Sequence, residues 1–435
     1  MDSEEAISWL YSFTSRGSKL GLERITKLLN RLGNPHHDQT FVHITGTNGK
    51  GSVCHYMSSI LVAAGYTTGV YLSPHLQRFN ERILLNGKEI TDTDIVQLVE
   101  QIQPFVKELE EEGCEPTFFE LVTAIAFQYF KQQHIAIGVI EVGLGGRFDA
   151  TNLIQPLLSI ITNISLEHAH ILGKTIEEIA FEKAGIIKPL TPVVTAAVPP
   201  AYEVIQSKAQ ELHAPLIHIQ TSWWKRQENN TKHQTFLITT NKHAYTVTTH
   251  QLGSFQGENI SCAIAGAENL QQQGWKITSE HIRKGINQAY NPGRMELYSR
   301  SPDILLDGAH NPTGMQKLVE TLTQDFAYEK LYVILGILRD KNIPAMLSPL
   351  TPIVDNLIIT QSSNPRACSP SMLKDFVDQS GYSKALLLKE NITDALEAAL
   401  ATAQNKDLIL ITGSLFTVGE AKNALEKTIK PISSL

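Results

Sequence analysis

Short apolar runs rich in β-branched residues punctuate the chain at Phe41–Thr45, Thr68–Leu72, Ile135–Val142 and Leu157–Ile164, with weaker ones at Val193–Ala196 and Pro215–Ile219. Runs of this length without polar alternation fit strands covered on both faces of a parallel sheet. Helical spacing separates them. Ser52–Ala64 follows the first run, and across Thr117–Lys131 the side chains of Phe118, Leu121, Val122, Ile125 and Phe130 share one broad face. Alternating strands and helices predict an α/β domain built on a parallel sheet.

The texture changes between Thr221 and Gln251. Thr235–Thr240 and Ala244–Thr248 flank Asn241-Lys242-His243, a β-hairpin signal that predicts a small antiparallel add-on to the first domain. A helix is expected from near Asn259. Asn291-Pro292-Gly293-Arg294 is a turn-rich break, and beyond it the α/β alternation restarts. Strands are predicted at Ile304–Leu306, Leu331–Leu335, Asn356–Thr360, Ala385–Leu388 and Leu408–Thr412, with helices at Thr313–Leu322, Ser371–Asp378 and Ile392–Ala403. At 435 residues the chain exceeds one ordinary core. The expected architecture is therefore a P-loop NTPase-like parallel-sheet domain over 1–293, with the antiparallel add-on near 221–251, followed by a smaller Rossmann-like α/β domain over 294–435.

Composition narrows the function. With 42% hydrophobic and 19% charged residues the chain reads as globular, and a formal charge of −7 argues against non-specific nucleic-acid binding, which relies on neutralising phosphates. The four cysteines, Cys54, Cys114, Cys262 and Cys368, show no metal spacing and are expected to be free thiols. The acidic start Met1-Asp2-Ser3-Glu4-Glu5 predicts no secretory signal. Runs such as Ile135–Val142 and Leu331–Leu338 fall short of the roughly 20 residues a membrane helix needs. A cytoplasmic protein without membrane partners is expected.

Chemistry concentrates first in Thr45-Gly46-Thr47-Asn48-Gly49-Lys50-Gly51-Ser52, between the first strand and its helix. Glycines let backbone N–H groups approach phosphate oxygens, a helix N-terminus favours negative charge, and Lys50 adds a point charge. The pattern departs from G-x-x-x-x-G-K-[ST]: Ile44 and Gly51 stand where Gly and Ser or Thr are required, and the hydroxyl arrives one residue late at Ser52. The plain alternative is a Gly/Asn turn joining strand to helix. The strand–turn–helix context favours phosphate binding.

Other chemistry-bearing segments fall at predicted strand ends, where open α/β sheets place their ligands. The second strand runs into Ser73-Pro74-His75-Leu76, a later one into Glu141-Val142-Gly143-Leu144-Gly145-Gly146-Arg147-Phe148-Asp149, and the next into Thr162-Asn163-Ile164-Ser165-Leu166-Glu167-His168. Glu141 closes an apolar run, so burying it requires a partner, and a divalent cation bridging ATP phosphates would serve; a buried ion pair is the alternative. Ser73 can simply cap a turn, His168 can be an ordinary hydrogen-bonded histidine, and Asp149 can hold a turn while Arg147 pairs with it. Lys183 reads most simply as part of a solvated helix face. In the second domain Asp307-Gly308-Ala309-His310-Asn311-Pro312 follows one strand and Gly413-Ser414-Leu415-Phe416 the last. Turn chemistry suffices for Gly413, but an acid and a histidine emerging together at a strand end point to a site at Asp307 and His310.

Taken together, the phosphate loop, Ser73-Pro74-His75-Leu76 with Phe79-Asn80-Glu81-Arg82-Ile83, Glu141-Val142-Gly143-Leu144-Gly145-Gly146-Arg147, Glu182-Lys183-Ala184-Gly185-Ile186-Ile187-Lys188 and Asp307–Pro312 resemble the folylpolyglutamate synthase family. That family includes bifunctional dihydrofolate synthases and belongs to the muramyl-peptide ligase superfamily. The match runs in order from about Gly17 to Glu420. The resemblance implies an ATP- and Mg²⁺-dependent ligase joining L-glutamate to a folate carboxylate through an acyl phosphate.

It also implies roles by position. Thr47, Asn48, Gly49, Lys50, Gly51 and Ser52 would bind ATP phosphates, and Asn259, Arg294 and Asp307 would contact the nucleotide. Ser52, Ser73, Glu141 and His168 would hold magnesium. Lys50, Lys183 and His310 would serve catalysis, with Lys183 matching a lysine that is carbamylated in the family. Arg147, Asp149, His310 and Ser414 would face substrate. A monomer is implied. Glu167 departs from the family's Asp before the histidine, moving a carboxylate by on the order of 1.5 Å. Gly146–Asn152 resembles bifunctional members, so dihydropteroate is expected as a substrate beside folate. A muramyl-peptide ligase acting on a UDP-linked precursor would instead carry Thr where Gly51 stands. A non-ligating P-loop switch would need no amino-acid pocket near Asp307 and Ser414.

Overall fold

The computed structural model describes residues 1–17, 19 and 21–429. Eight strands form one sheet: β1 (Phe41–Thr45), β2 (Thr68–Tyr71), β3 (Ile83–Leu85), β4 (Lys88–Glu89), β5 (Ile137–Glu141), β6 (Leu158–Ile161), β7 (Val193–Thr195) and β8 (Leu216–His218), in the order β4-β3-β2-β5-β1-β6-β7-β8. Neighbours from β2 to β8 are parallel, while β3 and β4 run antiparallel at one edge. Every residue of β1, β5 and β6 is buried, as predominantly apolar strands covered on both faces require, the polar His43, Thr45, Glu141 and Ser159 included.

Alternate side chains feed opposite faces. Val42 and Ile44 pack with Val53, Met57 and Ile60 of the helix Lys50–Ala63 and with Ile260 and Ile264 of the helix Gln256–Gln272. Phe41 faces the other way, into a core shared with Ile95, Val99 and Ile102 of the helix Asp92–Glu111 and Leu121 and Ile125 of the helix Phe118–Gln132. Both faces are thus covered, and the carboxyl ends of β1, β2, β5 and β6 share one rim.

A separate sheet is ordered β11-β10-β9, from β9 (Trp224–Asn229), β10 (Gln234–Thr239) and β11 (Ala244–Thr249). The expected hairpin is there; β9 was not anticipated, because Trp224–Asn229 is largely polar and exposed. Phe236, Ile238, Tyr245 and Val247 of the hairpin join the core that contains Ile260.

Six more strands build the second sheet: β12 (Glu296–Ser299), β13 (Asp303–Leu306), β14 (Leu331–Leu335), β15 (Asn356–Ile359), β16 (Ala385–Leu388) and β17 (Leu408–Thr412), in the order β12-β13-β17-β14-β15-β16. All neighbours are parallel except β12, which runs antiparallel to β13. Inserting β17 beside β13 brings the ends carrying Asp307 and Ser414 together. The chain divides into two compact units: Met1–Lys225 with Phe236–Thr248 and Gly257–Ala289, and Arg226–Thr235 with Thr249–Gln256 and the chain from Tyr290 onward. Among the described residues no helix is long and apolar enough to cross a membrane.

The helix after β1 begins at Lys50 rather than Ser52, because Gly49, at φ 83°, makes the turn that launches it. Asp92–Glu111 is a helix the sequence reading passed over, although Ile95, Leu98, Val99, Ile102, Val106 and Leu109 keep helical spacing. Strands β3, β4 and β12 are short antiparallel edges with too few residues to show a period.

Candidate active site

The phosphate loop is braced against the end of β6. Thr47 N–H donates to Asn163 O at 2.8 Å, Asn48 N–H donates to Asn163 Oδ1 at 3.1 Å, and Thr162 Oγ1 donates to Asn48 O at 2.7 Å. Asn163 also donates from Nδ2 to Glu258 Oε1 at 3.1 Å, so one side chain ties the loop to the helix Gln256–Gln272. The sequence placed Asn163 at a strand end but gave it no role. At Gly49 a Cβ would come within 2.3 Å of Asn259 Oδ1, which sets Asn259 directly against the loop.

Two lysines meet on this loop. Lys50 Nζ donates to Gly46 O and Thr47 O, each at 2.9 Å, while Lys183 Nζ donates to the same Gly46 O at 2.7 Å. Lys183 is buried, and burial, reinforced by the Lys50 charge, lowers its pKa to about 7, against the pull of Glu167 and Asp149. The solvated helix face read from the sequence is therefore corrected. Ile176, Ile179, Ala180, Lys183 and Ala184 follow i, i+3, i+4, i+7, i+8, so Lys183 lies on the inward stripe of the helix Ile176–Ala184.

Glu141 is buried at the end of β5, and its Oε2 accepts the Ser73 N–H at 2.9 Å, joining the ends of β2 and β5. Ser52 is buried in the first turn of the phosphate-loop helix. Hydroxyl and carboxylate oxygens are the donors Mg²⁺ takes, and it usually completes its shell with phosphates and water. Ser52, Ser73 and Glu141 fit that ion. Among the described residues no three His, Cys, Asp or Glu side chains converge as a metal cage. His168 sits in a left-handed turn with Nε2 4.0 Å from Glu167 Oε1.

Arg147 and Asp149 separate. The Arg147 guanidinium grips Glu182 through Nη2 at 2.6 Å and Nε at 3.3 Å and lies over the rings of Phe148 and Phe181. That pair pins the β5 loop to the helix carrying Lys183. Asp149 is buried; its Oδ2 accepts Leu144 N–H at 2.8 Å and its Oδ1 accepts from Thr151 N and Oγ1. Burial raises its pKa against these bonds. Asp149 organises the turn, and Arg147 pairs with Glu182 rather than with it.

In the second unit Asp307 is buried with both oxygens accepting backbone N–H groups, Met295 at 2.9 Å and Ala309 at 2.9 Å. Burial raises its pKa, opposed by the Arg294 charge. Arg294 Nη1 donates to Gly308 O at 3.0 Å, and His310 Nδ1 lies 2.9 Å from the same oxygen. Ser414 caps the helix Leu415–Thr428 through Thr417 N–H at 3.1 Å. Asp307 N–H donates to Ile411 O at 3.0 Å, which aligns the two strand ends. An amino acid or nucleotide hydroxyl can be met here by the His310 ring, the Arg294 guanidinium and the Ser414 turn.

Comparison with known proteins agrees with this layout. Residues 44–267 match the Mur ligase middle domain and residues 293–415 the Mur ligase, glutamate ligase domain. The chain is 38% identical to the dihydrofolate synthase/folylpolyglutamate synthase of Bacillus subtilis, over 97% of this chain and 99% of that protein. It superposes on the Mycobacterium tuberculosis folylpolyglutamate synthase complexed with ADP at a TM-score of 0.90 and 30% identity, covering 97% of this chain and 98% of the other. E. coli FolC in complex with DHPP and ADP gives 0.86 and 29% identity, with 98% of each chain covered.

Proposed function

The chain belongs to the folylpolyglutamate/dihydrofolate synthase family of Mur ligases, and from that premise we propose the following account of its activity. It is an ATP-dependent ligase that joins L-glutamate to a folate carboxylate. A carboxylate is a poor electrophile because its charge is delocalised and it lacks a leaving group. Its oxygen therefore attacks the ATP γ-phosphorus, expelling ADP and forming an acyl phosphate. The glutamate α-amine then attacks the acyl carbon, the C–O bond to phosphate breaks, and the amine's proton leaves with the departing phosphate or solvent.

What this chain's residues do follows from their chemistry. The loop 46–52 presents N–H groups and the Lys50 ammonium to the phosphates, and Asn259 lies against it. Stabilising charge on the transferring phosphoryl group is the main catalytic demand. Ser52, Ser73 and Glu141 would hold Mg²⁺, with His168 as a further ligand on the resemblance alone, and the bound ion would supply further charge neutralisation. Near its pKa of about 7 a fraction of Lys183 is an uncharged amine, which can add CO₂ and become an anionic carbamate that pairs with its cationic surroundings. Arg294 and Asp307 serve the nucleotide; His310 and Ser414 receive glutamate.

The observation that carries this reading is the pair of ammonium groups converging on the Gly46 carbonyl of a phosphate loop, in a chain similar to ligases over nearly its whole length. Dihydropteroate is proposed as a second acceptor, since Gly146–Asn152 has the bifunctional form and its Arg147 and Asp149 are held in one ordered turn. A monomer in the cytoplasm completes the proposal, on the resemblance alone. The test is Mg²⁺-dependent ADP release with glutamate, offering dihydropteroate and tetrahydrofolate in parallel. Stimulation by both, with one glutamyl unit added to each product, is expected. Stimulation by tetrahydrofolate alone removes the dihydropteroate activity, and stimulation only by a UDP-linked muramyl peptide replaces the folate reading.

A further inference from the structure

Beside Ser73 lies a buried cation that none of the roles above uses. Arg82 is 7% exposed, and its backbone O accepts the Leu72 N–H at 2.9 Å, fixing it against the loop that carries Ser73. Its Nε donates to His75 Nδ1 at 2.8 Å, and its Cζ stands 5.3 Å from the Phe118 ring centroid. Among the described residues no carboxylate pairs with the guanidinium and no hydrogen bond engages either Nη group. The adjacent Glu81 is engaged elsewhere, accepting the N–H groups of Leu76, Gln77 and Arg78. Glu141 contributes a favourable field at Arg82 without forming an ion pair. Leaving a desolvated cation without a paired anion is expensive, and a guanidinium fork is matched to a carboxylate.

The hydrogen-bond directions fix the aim of that fork. Because Nε–H donates to His75 Nδ1, that nitrogen carries no proton, and neutral His75 holds its hydrogen on Nε2. Tyr11 Oη lies 3.1 Å from Nε2 and accepts it. Tyr11 also stacks on Phe118 at 5.4 Å with planes 7° apart, closing a ring of Arg82, His75, Tyr11 and Phe118. With Nε occupied, the two Nη groups are the ones presented.

We propose that Arg82 receives the reacting carboxylate of the folate acceptor, with His75 and Tyr11 as positioning residues that aim its Nη groups. This rests on the folate-ligase reading. The expected benefit is orientation: a carboxylate held bidentately presents an oxygen for attack near Glu141 and the phosphate loop.

The experiment is equilibrium binding without ATP, using whichever of dihydropteroate and tetrahydrofolate supports ADP release, compared with its carboxamide (the γ-amide for tetrahydrofolate). Wild type should prefer the acid by about tenfold or more, as charge-assisted recognition gives. Arg82→Gln should bring the acid's affinity down to the amide's while leaving amide and ADP affinity unchanged. Arg82→Lys, keeping charge without the fork, should fall between. His75→Ala should erode the acid preference with ADP affinity intact. Equal weakening of acid and amide by Arg82→Gln would make its role structural, and a retained acid preference would assign the carboxylate elsewhere; either overturns the proposal. A wild type whose ADP release no folate stimulates would instead sink the ligase reading, and this assignment with it.

Discussion

Lys50 and Lys183 donate to one and the same backbone oxygen, that of Gly46, at 2.9 and 2.7 Å. They reach it from well-separated places in the sequence, one from the loop itself and one from a helix far along the chain. Two cations sharing one acceptor repel, and at the buried Lys183 that repulsion adds to desolvation in disfavouring the charged form. The loop's positive charge and the unusual state of Lys183 are thus parts of one electrostatic arrangement.

The Lys183 pKa, lowered from an ordinary 10.5 to about 7, makes a stability prediction. Between those values the unfolded chain binds the proton and the folded chain does not, so stability rises with pH across the window by up to about 1.4 kcal/mol per unit. Below about pH 7 both states are protonated and the burial penalty is fully present. Lys183→Met removes that penalty. Its denaturant midpoint should exceed wild type most near pH 7, and the gap should close towards pH 10. A gap independent of pH would show that Lys183 does not change charge on folding. Added ¹³C-bicarbonate should give a carbamate NMR signal that Lys183→Met lacks.

Lys50→Ala should leave the far-ultraviolet spectrum unchanged while abolishing acyl-phosphate formation, read as loss of folate-dependent ADP release. The fold does not depend on this side chain, because among the described residues its hydrogen bonds run to Gly46 O and Thr47 O within its own loop. Turnover near the wild-type rate would remove the phosphate role from Lys50.

Gly49→Ala tests the loop's backbone. At φ 83° a side chain carries a strain of roughly 1–2 kcal/mol, and the new Cβ would meet Asn259 Oδ1 at 2.3 Å. ADP affinity should fall by about tenfold or more, since 1.4 kcal/mol corresponds to a factor of ten. In an Asn259→Gly background, compared with Asn259→Gly alone, Gly49→Ala should cost less ADP affinity than it does in wild type, by the part due to the clash. No cost at all in that background would show that backbone strain contributes nothing.

Much of this arrangement was legible before the structure. The phosphate loop announces itself because an apolar strand, glycines and Lys50 are contiguous, and β13 through β17 could be placed because each is built on a short apolar run. What escaped depends on partners distant in sequence. Nothing in the segment Glu81-Arg82 tells that Glu81 holds the N–H groups of Leu76, Gln77 and Arg78 rather than its neighbour. Arg147 and Asp149, two residues apart, look like mutual partners, but the turn aims one at Glu182 and the other inward at Thr151. Lys183 was legible in principle, since it occupies an apolar position of its helix; the charged residues beside it obscured that.

A buried relay from β1 to the loop after β5 gives the last prediction. Thr151 Oγ1 donates to Asp149 Oδ1 at 2.6 Å, so it must accept from His43, whose Nε2 lies 2.8 Å away. His43 is thereby fixed as the neutral Nε2–H tautomer, with Nδ1 buried and without a partner among the described residues. Burial, aided by the Lys188 charge, lowers its pKa to about 3. From pH 6.5 down to about 3 the unfolded chain takes up a proton that the folded chain refuses, so stability falls as pH falls, by up to about 1.4 kcal/mol per unit. His43→Gln keeps a donor for Thr151 but does not titrate. Its denaturant midpoint should decline less than that of wild type between about pH 6.5 and pH 4, while the two enzymes share the same Km for ATP, since His43 holds the loop behind Asp149 rather than touching nucleotide. Parallel decline of the two midpoints would show that His43 is charged as readily inside the folded protein as in the unfolded chain, and its burial would then not keep the proton off Nδ1.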